Sequence, residues 1–88
     1  KMKVYLGTIT PFKGAGYYSH FHEAARLYVN DWIRNQAKNV DGILDFAKLL
    51  QDPNDDRRMK REYASGDWLH PNPAGYKAMG IYAADIVK

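Results

Sequence analysis

At 88 residues the chain suits one small domain, and its 45% hydrophobic and 26% charged residues, with two Trp, seven Tyr and three Phe, are the composition of a folded protein. A domain of this size buries only roughly 60–65% of the surface its unfolded chain exposes, so the core is expected to be thin. No cysteine occurs, which excludes disulfides, thiolate catalysis and cysteine-based zinc sites. The net charge of +3 could suit an acidic partner, but the densest basic stretch, DPNDDRRMKRE (52–62), sets Asp52, Asp55, Asp56 and Glu62 against Arg57, Arg58, Lys60 and Arg61. That balance points to a solvated loop and away from nucleic acid.

The opening KMKVYLGTITPF carries Val4, Leu6 and Ile9 among β-formers and predicts a strand, followed by a Pro-Phe-Lys-Gly-Ala-Gly loop. The strand begins almost at once and residue 1 is Lys, which fits the later part of a longer protein. In SHFHEAARLYVNDWIRNQAKN, residues Phe21, Ala24, Ala25, Tyr28 and Trp32 recur at helical spacing and are expected to face the core, with Ser19 as N-cap. Asp41-Gly42 predicts a turn, GILDF a second strand, and AKLLQD a loop or short helix stopped by Pro53. Asn72 and Pro73 predict the start of a last helix, with Tyr76, Met79, Gly80, Ala83 and Val87 along one face. Tyr82 is also expected in the core. Strand, helix, strand, loop, helix is the order of an α/β sheet with helical cover, although two strands leave open edges. No apolar run approaches the roughly 20 residues that span a bilayer, and the N-terminus lacks the apolar region of a signal peptide.

The chemistry concentrates in GDWLHPNPAGY (66–76). A hydrolytic triad needs an imidazole to take a hydroxyl proton and a carboxylate on the other ring nitrogen to fix the tautomer. Asp67 and His70, three residues apart on one turn, can form that pair locally. Pro71 biases His70 toward extended geometry, and the Asn72 cap anchors the turn on a helix.

The string Gly-Asp-x-x-His-Pro-Asn-x-x-Gly-Tyr with a helix after it resembles the C-terminal block of the SGNH (GDSL-type) hydrolases, esterases and lipases of flavodoxin-like α/β fold. The resemblance implies that residues 1–88 are the C-terminal segment of one such three-layer domain, with Asp67 and His70 as triad members. It also implies an ester substrate, of the carbohydrate acetyl or short-chain acyl kind, no metal or organic cofactor, and a secreted or periplasmic setting. The family's serine lies in an N-terminal Gly-Asp-Ser block and its oxyanion hole draws on that block and two others, none of which is present. Gly66-Asp67 is followed by Trp68, and the only serines are Ser19 and Ser65. The nucleophile is therefore expected from a missing N-terminal segment, which would make the isolated chain inactive and prone to self-association through open strand edges. Ser19, Tyr17 and Tyr18 could border a substrate site.

Two other readings stand beside this one. His20, His22 and Glu23 form a compact cluster, but residues two apart on a helix diverge by about 200°, so a shared metal ion is disfavoured. The chain could also be a non-catalytic α/β binding or interaction module.

Overall fold

The computed structural model describes residues 2–87 as a small mixed α/β domain. Strand β1 (Tyr5–Gly7) leads through an irregular segment into helix α1 (His20–Asn35), then strand β2 (Gly42–Leu44) and the short helix α2 (Phe46–Leu50). Strands β3 (Gln51–Asp52) and β4 (Asp55–Met59) follow, then a single 3-10 turn (Arg61–Tyr63) and helix α3 (Pro73–Val87). β1 pairs in parallel with β2, Leu6 opposite Ile43, while β3 and β4 form a separate antiparallel hairpin. Among the described residues each sheet thus has two strands. No helix of the described residues is long and apolar enough to cross a membrane.

The segment after β1 is irregular, and its backbone polar groups need partners away from water. Asn30, 1% exposed, meets both demands of Ile9: its Oδ1 accepts from the Ile9 amide at 2.7 Å and its Nδ2 donates to the Ile9 carbonyl at 2.9 Å. One turn earlier, Arg26 donates to Glu23 through Nε at 3.1 Å and Nη2 at 2.7 Å, and also to the carbonyls of Ile9 and Asp56. Such a buried ion pair is tolerated only because its remaining donors are also satisfied.

These contacts overturn the expected orientation of α1. The helix buries Glu23, Arg26, Asn30 and Ile33, while Phe21 (87% exposed), Ala24, Ala25, Tyr28 (77%) and Trp32 (48%) face outward. Polar groups won the inner face because the incoming loop offers them backbone partners that aromatic rings cannot satisfy.

Three further expectations are corrected. The turn before β2 is made at Asn39, whose φ of 62° is left-handed. Asp41 instead clamps the start of β1, accepting from the Val4 amide and donating its own amide to the Val4 carbonyl, both at 2.7 Å. Gly42 lies in β2. Residues 52–62 are not a loop: Asp52 pairs across the hairpin with Arg58 at 3.2 Å, while Asp55 pairs along its own strand with Arg57 and outside the hairpin with Lys13. Met59, fully buried at the end of β4, fixes the hairpin to the core. On α3 the inner face is Gly75, Ala78, Met79, Tyr82 and Ala83, whereas Tyr76, Gly80 and Val87 are exposed. The half-buried Tyr82 ring packs edge-on against Phe46 at 5.9 Å.

The apolar core is correspondingly small, formed by Pro11, Phe12, Ala15, Ile33, Ala47, Leu50 and Met59. A polar knot joins it to the rest. The Thr8 hydroxyl donates to Asp45 at 2.9 Å and accepts from the Ala47 amide, Arg34 grips Asp45 with two donors at 2.9 Å, and the Asp45 amide donates to the Tyr82 hydroxyl.

Candidate catalytic site

Residues 61–72 close on themselves before α3 begins. Ala64 bridges Pro71 in antiparallel fashion, and the amides of Ser65 and Asn72 donate to the carbonyls of His70 and Tyr63. Asn72 then does what its side chain suits it for: Oδ1 accepts from the Gly75 amide at 2.8 Å as the cap of α3, and Nδ2 donates back to the Glu62 and Ala64 carbonyls. The start of α3 is thereby tied to the 3-10 turn and to Ala64, which lead into this loop.

Within this frame Asp67 and His70 meet. His70 Nδ1 lies 2.7 Å from Asp67 Oδ2, and Asp67 Oδ1 accepts from the amides of both Leu69 and His70, at 2.9 and 3.0 Å. Both carboxylate oxygens are therefore occupied, and the carboxylate cannot rotate without losing three bonds. The His70 ring beside Asp67, reinforced by the two amides, holds that carboxyl well below the usual carboxylate range. An ionised Asp67 facing Nδ1 favours the tautomer with the proton on Nδ1 and the lone pair on Nε2. The His70 side chain is 63% exposed, and its Nε2 has no hydrogen-bond partner among the described residues.

The sequence did not signal what holds Trp68. This residue has φ 57°, a left-handed conformation that an indole gains nothing from by itself. Its ring lies against Gly14 of the segment after β1, so close that a Cβ on Gly14 would come within 2.9 Å of Trp68 Cγ. The Arg58 guanidinium stands over the ring at 5.7 Å. Gly14, itself at φ 104°, could have been read as a left-handed position but not as the floor under an indole.

The two serines are committed elsewhere. Ser19 Oγ accepts from the His22 amide at 3.1 Å, as the cap of α1, and Ser65 Oγ donates to the Pro71 carbonyl at 3.1 Å. The residues of the His-x-His-Glu stretch have separate surroundings: His22 bonds the Tyr17 carbonyl, and Glu23 turns inward to Arg26. Among the described residues no group of three or more His, Cys, Asp or Glu is placed to hold a metal ion. Tyr17 and His22 line a groove of about 240 Å³ with Phe12 and Val29, and a wider depression lies between Asp52, Lys60 and Glu62; neither has Asp67 or His70 in its wall. Tyr18 packs edge-on against Phe12, with its hydroxyl buried and unpartnered among the described residues.

No family model matches this chain, and no curated protein matches it.

Proposed function

We propose that the chain is the C-terminal portion of a serine esterase of the SGNH type, in which His70 is the general base and then the general acid, and Asp67 orients and stabilises it. The observation that carries this reading is the 2.7 Å contact between His70 Nδ1 and Asp67 Oδ2, with Asp67 Oδ1 fixed by two backbone amides and Nε2 without a hydrogen bond among the described residues. In the proposed reaction a serine hydroxyl attacks the ester carbonyl while Nε2 takes its proton. The imidazolium, stabilised by Asp67, returns the proton to the departing alcohol, and water then hydrolyses the acyl-enzyme by the same base. In this reading the serine comes from outside these 88 residues, which is supported by Ser19 capping α1 and Ser65 bonding Pro71.

The parallel β1–α1–β2 unit, with α3 packed beside β2, accords with one flank of a flavodoxin-like sheet completed by further strands. The substrate class we favour is a carbohydrate acetyl or short-chain acyl ester. A non-catalytic binding module is the second reading, favoured by the outward aromatic face of Phe21, Tyr28 and Trp32.

The test is hydrolysis of p-nitrophenyl acetate by the complete gene product. His70→Ala should abolish turnover, and Asp67→Asn should lower kcat by about 10²–10⁴-fold without unfolding the protein. Full activity in the His70→Ala protein would end the proposal.

A further inference from the structure

The geometry points to Trp68 as the positioning residue of the Asp67–His70 pair, its indole pinning the turn against Gly14 and beneath Arg58. This rests on the catalytic reading for its consequence in turnover, but not for its consequence in imidazole geometry.

The argument starts from the backbone. Asp67 Oδ1 receives the amides of both Leu69 and His70, and Trp68, the residue that starts this turn, stands at φ 57°. Glycine adopts that conformation freely, whereas a large side chain resists it. An indole held there needs compensation from its surroundings. Two come from distant parts of the chain. Gly14 offers a surface without a side chain, and a Cβ there would crowd both Trp68 Cγ at 2.9 Å and Trp68 Cβ at 3.1 Å. Arg58, on β4, covers the ring at 5.7 Å and is itself held by Asp52. The exposed turn that carries the imidazole is thus fastened to the segment after β1 and to the hairpin. Ser65 and Asn72 close this turn onto the start of α3, and the indole is its side-chain tie to the segment after β1 and to the hairpin.

A backbone-only role and an anchoring role predict opposite results for Trp68→Gly. Glycine suits φ 57° better than Trp, so if conformation were all that mattered the pair would stay formed. If the ring is the anchor, the turn loosens and the pair opens.

The readout is the nitrogen chemical shifts of the His70 ring in the 88-residue chain, above the pH at which the ring is neutral, together with kcat and KM in the complete protein. The parent should hold the proton on Nδ1. Trp68→Gly should shift His70 to a mixture of tautomers, Trp68→Phe should fall between, and Arg58→Gln should move the shifts the same way by less. In the complete protein Trp68→Gly should lower kcat by about 10–100-fold with KM little changed.

A Trp68→Gly chain that keeps the Nδ1–H form as fully as the parent overturns the inference, as does a parent that lacks that form. If Trp68→Gly loses amide dispersion throughout, unchanged shifts in both Trp68→Phe and Arg58→Gln overturn it instead. Should His70→Ala retain esterase activity, the proposed function falls while the nitrogen shifts still decide the role of Trp68.

Discussion

Replacing Asn30 by Ala removes an acceptor 2.7 Å from the Ile9 amide and a donor 2.9 Å from the Ile9 carbonyl, at a site only 1% exposed. A backbone group deprived of its partner costs about 1–3 kcal/mol where it is buried, and Ile9, 42% exposed as a residue, places the amide in the lower part of that range. The carbonyl keeps a long contact to Arg26 Nη1 at 3.4 Å, which places its share at the lower end. The sum is about 2–3 kcal/mol, against a total stability of about 4–13 kcal/mol for 88 residues at typical values per residue. Urea titration at neutral pH, followed by tryptophan fluorescence, should show a lower midpoint with an unchanged slope. Asn30→Asp should be at least as damaging, because it keeps the acceptor, loses the donor and buries a charge. A loss below about 1 kcal/mol in the Ala variant would mean that water reaches Ile9, and that the polar stripe of α1 does not hold the loop.

Two glycines on α3 should respond oppositely to Ala. At Gly75 a Cβ would sit 2.7 Å from the Tyr63 carbonyl oxygen and 2.9 Å from Pro71 Cβ, so Gly75→Ala should destabilise by about 1–3 kcal/mol, whereas Gly80 has nothing within 4 Å and Gly80→Ala should stabilise by about 0.5–1 kcal/mol. Thermal melts of both variants check this pair. Stability should also fall in acid. Asp67 is lowered by the His70 ring and two amides, Asp55 by Arg57 and Lys13, and Asp45 by Arg34, Thr8 and the Lys48 amide, which together outweigh an opposing, individually larger effect of burial. A carboxyl whose folded value is depressed contributes its stability above the unfolded value of about 4 and loses it as the pH falls through the folded value. Urea midpoints should therefore decline below about pH 4, and a flat profile down to pH 2 would contradict the network.

The helix caps and the Asp67–His70 turn were legible because they act through neighbours in sequence. Ser19 and Asn72 cap the helices they were expected to cap, and Asp67 reaches His70 within one turn. The inward face of α1 was not legible, since hydrophobic periodicity cannot register that the irregular segment after β1 needs Asn30 and Arg26 at Ile9 more than it needs Trp32. The hairpin of residues 51–59 was hidden for a similar reason: charges that pair across it, Asp52 with Arg58, and along it, Asp55 with Arg57, read in sequence as an unstructured, neutral sum. Trp68 was passed over because its anchors, Gly14 and Arg58, lie far from it in sequence.

The knot around Asp45 has a consequence for how the molecule comes apart. Thr8 follows β1, Arg34 closes α1, Asp45 caps α2 and Tyr82 belongs to α3, yet all four meet through one carboxylate and its own amide. Lifting the last helix strips that amide of its acceptor, and releasing the first strand strips the carboxylate of a hydroxyl donor. Opening at either end of the chain is thus felt at the other, giving a domain with few greasy side chains inside a concerted unfolding transition that its apolar packing alone would not impose.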